Sequence, residues 1–160
     1  MTLVIDLLRH GDAAPSGAGG DAARRLTERG RADVALVAGQ LASGPAPERV
    51  FSSPLARARE TAALVVERLP EVRAVERLDA LIPDCDPEEV LDALREHGIE
   101  DGHVLMVGHQ PQIGRLVAHL TGTEPAVPPA TLIRISCERI PNVNAGRLEQ
   151  TWSPAVLRRS

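Results

Sequence analysis

Three short stretches of the chain carry residues able to do chemistry on an anion. Arg9-His10-Gly11 follows an apolar run, Arg57 lies just beyond Ser52-Ser53-Pro54, and His109 sits between Gly108 and Gln110. An arginine presents a planar fork of N–H donors that meets two phosphoryl oxygens at once, which a lysine does not. A neutral histidine nitrogen is a competent nucleophile toward phosphorus, and a second histidine can share the charge on the transferred oxygens. Arg9, His10, Arg57 and His109, brought to one place, would therefore make an anion site with a nucleophile in it. Gly11 after one histidine and Gly108 before the other would let the backbone approach a bound group closely.

The elements that must deliver these residues are also visible in the sequence. Thr2 to Leu8 is a branched, apolar run that suits a buried strand, and it leads straight into Arg9. Ala13 to Ala23 is rich in Gly, Ala and Pro and reads as a mobile loop. Thr27 can cap a helix running to about Ser43, with Val34, Val37, Ala38 and Leu41 as its apolar stripe. Arg49 to Ser52 predicts a short second strand, and a helix is expected from Leu55 to Leu69 once Pro54 has opened it. Val72 to Leu78 predicts a third strand. The acidic loop Asp79 to Pro87 follows, then a helix from Glu88 to His97 closed by Gly98. The run His103 to Gly108 is as apolar as a central strand covered on both faces, and it ends at His109. Pro111 opens a further helix through Leu120. Thr131 to Cys137 and Arg147 to Trp152 alternate as a terminal strand pair, joined by a turn around Asn142 to Gly146.

Strands alternating with helices predict an α/β fold, a three-layer sandwich whose mostly parallel central sheet is flanked by helices, in a single domain over residues 1–160. In an open sheet of this kind ligands collect beyond the carboxyl ends of the strands. That is the edge to which Arg9, His10, Arg57 and His109 would be delivered.

Composition narrows the chemistry further. The 160 residues are 43% hydrophobic and 25% charged, the balance of an ordinary soluble domain. All 18 basic residues are Arg, which excludes a lysine Schiff base and a Walker-type phosphate loop. Tyr is absent, and Phe51 and Trp152 are the only aromatics, so base-stacking surfaces for nucleic acid are lacking. A net charge of −4 gives no general pull toward phosphate backbones either. No run is long enough to span a membrane, and no basic leader precedes the first apolar stretch. Cys85 and Cys137 have no partner at metal spacing and read as reduced thiols in a cytoplasmic protein.

Leu8-Arg9-His10-Gly11 resembles the signature of the histidine phosphatase (phosphoglycerate mutase-like) superfamily. Ser53-Pro54-Leu55-Ala56-Arg57-Ala58, continuing to Thr61-Ala62, is similar to its second motif, and Val107-Gly108-His109 to its third. Arg24 to Gly30 resembles the helix entry common in that family. Arg9 to Ala13, Gly108 to Pro111 and Trp152-Ser153-Pro154 resemble the small SixA-type phosphohistidine phosphatases in particular, and the likeness runs from about residue 3 to residue 157. The resemblance implies that His10 is the nucleophile and forms a phosphohistidine intermediate. It implies that Arg9 and Arg57 clamp the phosphoryl oxygens as substrate-binding residues, that His109 completes the pocket, and that no metal or other cofactor takes part.

One departure from the family pattern bears on the substrate. Members acting on phosphoesters usually place a Glu proton donor shortly after the third strand, where this chain has Leu78-Asp79-Ala80-Leu81, with Ala80 at that position. An alkoxide leaving group needs a proton from a general acid, whereas the imidazole of a phosphohistidine can take one from solvent. The expected activity is therefore hydrolysis of phosphohistidine on a phosphorelay or phosphocarrier protein, with a phosphorylated protein as partner and neither nucleic acid nor membrane. The alternatives are a small-molecule phosphoester phosphatase or mutase using Asp12 or Asp79 as acid, and a phosphate-binding module without turnover. His97, His103 and His119 lie outside any motif and are expected to be structural. Arg59 is expected at the surface, and Arg24 and Arg25 as a solvated pair.

Overall fold

The computed structural model describes residues 2–139 and 144–159. The chain order is β1 (Leu3–Arg9), α1 (Glu28–Ala42), β2 (Arg49–Ser52), α2 (Ala56–Glu67), β3 (Val75–Arg77), α3 (Pro87–Glu96), β4 (Gly102–Gly108), α4 (Gln112–Thr121), β5 (Leu132–Cys137), β6 (Arg147–Trp152) and α5 (Pro154–Arg158). The strands form one sheet in the order β3-β2-β4-β1-β5-β6. The first four run parallel, β5 is antiparallel to β1, and β6 is antiparallel to β5, so the sheet is mixed and mostly parallel.

Side-chain alternation along the strands divides the core into two layers. Leu3, Ile5 and Leu7 of β1, Met106 of β4, and Ile133 and Ile135 of β5 face Val90, Leu91 and Leu94 of α3 and Ile113, Leu116 and Val117 of α4. Leu8, Leu105, Val107 and Leu132 face the opposite way, onto Val34, Val37, Ala38 and Leu41 of α1 and Ala58, Ala62 and Val65 of α2. The stripe expected on α1 is the buried one. Thr27 caps α1 as expected, its hydroxyl accepting from the Gly30 N–H at 3.0 Å.

Three expectations shift. The third strand is shorter than Val72 to Leu78, because the Val72 N–H bonds back to Leu69 O at 2.9 Å and closes the turn after α2. The segment then pairs only with Val50–Ser52 at the sheet edge. Helix α2 stops at Glu67, since Arg68 and Leu69 bond to carbonyls three residues back in a tightened last turn. A helix the periodicity did not predict, α5, follows Trp152. Ser153 caps it by accepting from Val156 N–H, Pro154 occupies its first turn, and Arg158 pairs with Asp33 of α1. In the expected turn between β5 and β6, Asn142 and Val143 lie outside the described residues. No helix among the described residues is long and apolar enough to cross a membrane.

Candidate active site

The sheet order explains why three distant stretches meet. Strand β4 lies between β2 and β1, so the carboxyl ends of all three are neighbours. Backbone bonds fix their relative height: His10 N–H donates to Gly108 O at 3.1 Å, and Ser53 N–H donates to Val107 O at 3.0 Å. From these ends the chain presents Arg9 and His10 beyond β1, Arg57 from the first turn of α2, and His109 beyond β4. The structure brings together all four residues singled out from the sequence. Their side chains converge on one spot, where His10, Arg57 and His109 are only 7%, 5% and 1% exposed.

The hydrogen bonds of His10 assign its tautomer. Nδ1 lies 2.7 Å from the carbonyl of Gly11, an acceptor only, so Nδ1 carries the hydrogen. Nε2 is left with its lone pair and accepts from Arg57 Nε at 3.3 Å. Burial, the largest influence, pushes the His10 imidazole down to about 4; the hydrogen bond to the Gly11 carbonyl opposes it, and the charges of Arg57, Arg9 and Arg24 add to the lowering. His109 is driven down to about 3, chiefly by burial and then by His10 and Arg57. Both rings are therefore neutral at pH 7, and Nε2 of His10 is a free nitrogen base aimed into the cluster. The two ring centroids are 5.1 Å apart.

The remaining polar atoms are not all satisfied. Ser53 Oγ accepts from Leu55 N–H and lies 2.7 Å from His109 Nε2, to which its hydroxyl donates, so the hydrogen of the neutral His109 ring sits on Nδ1. The other ring nitrogen of His109, Nδ1, is buried with no partner among the described residues. Arg9 donates from Nη1 to Val127 O at 2.8 Å, while its Nε is likewise buried and unpartnered. Buried donors are nearly always paired in folded proteins, so two orphans at one spot mark a place for an acceptor that comes and goes. With guanidiniums beside them, the place suits an anion.

Several supporting residues were not singled out by sequence. Thr61, in the second motif, accepts from Gly11 N–H at 3.1 Å and donates to Arg57 O at 2.8 Å, tying the loop after β1 to α2. Asp21 reaches the cluster from the loop after β1 and bonds Arg57 through its main-chain carbonyl and its carboxylate. It stands in a Gly/Ala/Pro-rich segment without a motif, and only its being the sole carboxylate between Asp12 and Glu28 could have drawn notice. The Ala13 to Ala23 segment is pinned, with Ala13 bridged to Leu26 and a single 3-10 turn at Asp21–Ala23.

The glycines of the motifs have a different reason from the one expected. A Cβ on Gly11 would lie 2.8 Å from Gly30 O and 2.9 Å from a Val34 methyl, and a Cβ on Gly30 would lie 2.2 Å from Asp12 O. The loop after β1 rests directly on the first turn of α1. These glycines let protein approach protein. A Cβ on Gly108 would likewise meet Gln112 Oε1 at 3.3 Å.

The carboxylates weighed as proton donors point elsewhere. Asp12 accepts from the Thr27 hydroxyl at 2.8 Å, and Asp79, well exposed, pairs with Arg77 at 2.6 Å. Ala80 lies in a 3-10 turn whose backbone is held by the Gln112 side-chain amide at 2.8 Å. The other histidines serve the framework: His97 bonds Ala93 O and packs on Phe51, His103 bonds Asp6, and His119 pairs with Glu88. Arg59 is exposed. Arg25 pairs with Glu60, which also takes Arg31, whereas Arg24 turns inward to Ala14 O and Asp21. Among the described residues no group of three or more His, Cys, Asp or Glu is placed to hold a metal ion.

Comparison with known proteins agrees with this geometry. The family model of the histidine phosphatase superfamily (branch 1) matches residues 5–82. A solved structure of the protein histidine phosphatase SixA complexed with tungstate superposes with a TM-score of 0.85 at 30% identity, over 97% of this chain and 99% of that one. A protein assigned as the phosphohistidine phosphatase SixA of Agrobacterium tumefaciens shares the fold with a TM-score of 0.80 at 22% identity, over 95% of this chain and 98% of that one. A mycobacterial glucosyl-3-phosphoglycerate phosphatase does so with a TM-score of 0.69 at 19% identity, over 96% and 99%. No curated protein sequence matches the chain.

Proposed function

The chain belongs to the histidine phosphatase superfamily as a SixA-like member, and on that premise we propose that it is a cytoplasmic hydrolase of phosphohistidine carried on a phosphorelay or phosphocarrier protein. His10 Nε2 attacks phosphorus in line with the departing nitrogen. The new Nε2–P bond forms as the P–N bond of the substrate breaks, and the electron pair returns to the substrate imidazole, which takes its proton from solvent. Water then attacks the phosphorus of phospho-His10. Its oxygen bonds to phosphorus, Nε2 recovers its electron pair, one water proton passes to solvent, and orthophosphate leaves. Arg9 and Arg57 hold the equatorial oxygens, and His109 faces them with its unpartnered Nδ1. Because the charge is spread over three oxygens, positioning and electrostatics do most of the catalytic work.

The observation that carries the substrate class is the state of the carboxylates. Among the described residues the only carboxylate bonded to the cluster is that of Asp21, held between Arg57 and Arg24 at 3.3 Å from each. Burial is the largest single influence and raises it, but the hydrogen bonds and charges of Arg24 and Arg57 together outweigh this and keep it below its ordinary value. A carboxylate so held has no proton to give at neutral pH. An ester oxygen would leave without help, whereas a phosphoramidate nitrogen does not require it.

The test offers the purified protein a protein bearing phosphohistidine and, in parallel, generic phosphoesters and phosphoglycerate, with His10→Ala as control. Orthophosphate release from phosphohistidine, with an acid-labile phosphoenzyme that the variant lacks, is the expected result. Turnover of esters alone would reassign the chain to small-molecule phosphatases. Absence of both turnover and phosphoenzyme would leave a binding module.

A further inference from the structure

Each of the three nitrogens of Arg57 already has a partner before any substrate arrives. Its Nε donates to His10 Nε2, its Nη1 donates to the main-chain carbonyl of Asp21 at 2.9 Å, and its Nη2 meets Asp21 Oδ2 at 3.3 Å. Two oxygens of one residue thus take the two-pronged seat that a guanidinium offers to phosphoryl oxygens. The contact is asymmetric in burial: the Arg57 side chain is 5% exposed and that of Asp21 is 60% exposed. The cation belongs to the site, and the anion reaches it from outside.

The segment that delivers Asp21 is built to make this contact. Gly20 has a φ of +75°, a conformation that L side chains rarely adopt, and its N–H bonds to Gly17 O to turn the chain back over the pocket. Arg24 then clamps the turn, donating from Nε to Ala14 O and from Nη1 to Asp21 Oδ1. Arg9 takes no part: its partner is Val127 O, and its Nε remains unspent. Arg57 is therefore the arginine of the pair already bonded by an internal anion.

We propose that Asp21 is a resident counter-anion of the phosphoryl pocket, which an incoming phosphoryl group must displace from Arg57 and which therefore sets the affinity of the site for small oxyanions. Carboxylate and phosphoryl oxygens compete for the same two nitrogens and repel one another, so both do not occupy Arg57 together. The tethered carboxylate acts at the high local concentration of an intramolecular ligand. If the contact is formed in about nine molecules of ten, affinity for an anion that must displace it falls about tenfold. Free orthophosphate is penalised in full. A phosphoryl group carried on a protein can recover the loss through contacts elsewhere on its carrier, and after hydrolysis the returning carboxylate favours release of product. The proposal rests on the reading of Arg57 as a phosphoryl ligand, and it does not depend on which phosphoryl donor is hydrolysed.

Calorimetric titration with orthophosphate at low ionic strength tests it, using the wild-type protein, Asp21→Asn, Asp21→Glu and the double variant Asp21→Asn, Arg57→Ala. Asp21 is exposed enough that its variants should melt with the wild type, which thermal unfolding checks. The expected result is about tenfold tighter binding by Asp21→Asn, near wild-type binding by Asp21→Glu, and loss of binding in the double variant. Equal or weaker binding by Asp21→Asn, equal tightening by Asp21→Glu, or no binding by any form overturns the proposal. Binding that survives Arg57→Ala overturns instead the premise that Arg57 holds the phosphoryl group. A fall in kcat for Asp21→Asn with orthophosphate affinity unchanged would make Asp21 a proton-transfer group and also overturn the proposal.

Discussion

Strand β1 carries two polar clusters a few residues apart, and they are built on opposite rules. Asp6, fully buried, accepts from Arg134 Nε at 2.8 Å and Nη2 at 2.9 Å, while His103 Nε2 lies 2.6 Å from Oδ2, the oxygen that also takes Nη2. Arg134 in turn lies over the Trp152 ring at 5.2 Å. Every charge there has a fixed partner on a neighbouring strand, as buried charges require. At the carboxyl end of the same strand, Arg9, His10, Arg57 and His109 gather cations and imidazoles with no buried carboxylate among them, and two of their buried nitrogens lack partners. Among the described residues the only balancing anion comes from a surface loop. A cluster whose hydrogen bonds all close is framework. One that stays open, and borrows an anion, is a site.

The largest effect should separate the two clusters completely. His10→Ala removes the proposed nucleophile and should lower phosphatase turnover by about 10⁴-fold or more, while leaving the melting temperature equal to or above that of the wild type, because a buried imidazole held neutral is a burden on the fold. Phosphate release and thermal unfolding of the same preparation measure both. Asp6→Asn should do the reverse. Leaving Arg134 and His103 without their carboxylate costs about 3–5 kcal/mol of stability, read from urea unfolding, and turnover per folded molecule should stay within about twofold of wild type. A large loss of activity without loss of stability in Asp6→Asn would break the division.

Substitution of each arginine by lysine sharpens the contrast. Arg57→Lys keeps the charge but loses the fork, and kcat/KM should fall by about 10²-fold with little change in stability. Arg134→Lys loses one of the two bonds to Asp6 and should cost about 1–2 kcal/mol in unfolding free energy with kcat/KM unchanged. Activities that fall equally in both variants would show that the two clusters are not separable.

Legibility in the sequence followed the same division. That Arg9, His10, Arg57 and His109 would meet could be read because they stand in contiguous motifs at strand ends, where residue type and the preceding apolar run appear together. The elements were legible where periodicity is local and strong, as in β4 and along α1. Asp6, His103 and Arg134 could not be connected, because their meeting depends on strand order and register, with β5 inserted beside β1 in the opposite direction. Asp21 could not be placed because nothing in a Gly/Ala/Pro segment states how far the chain turns back. Gly11 was noticed for the wrong partner. Its lack of a side chain serves the approach of α1, a contact visible only once Gly30 and Asp12 are seen to touch. Helix α5 was missed because five residues carry no period, although Ser153-Pro154 held its start signal.

The remaining effect is the one that sorts the clusters by pH. His10 and His109 lie near 4 and 3 in the folded protein, mainly through burial, against about 6.5 when unfolded. Between pH 6.5 and about 4 the unfolded chain therefore binds protons that the folded site refuses, and stability falls as pH falls, by up to about 1.4 kcal/mol per pH unit for each histidine. Asp6 behaves differently. Burial raises its carboxyl, but the hydrogen bonds and charges of Arg134 and His103 outweigh this and hold it below its ordinary value. Its contribution is thus complete above the ordinary carboxylate range and is lost only as pH falls below that. The open cluster should govern the slope between pH 6.5 and 4.5, and the closed cluster the collapse at lower pH. Urea midpoints of the wild type and of the double variant His10→Ala, His109→Ala, taken at half-unit steps, measure this. The variant should be flatter than the wild type above pH 4.5 and should converge on the same acid collapse below it. An unchanged slope above pH 4.5 would mean that the two imidazoles are not held neutral. Below pH 6.5 the nitrogen at Nε2 would then be unprotonated only in a minority of molecules.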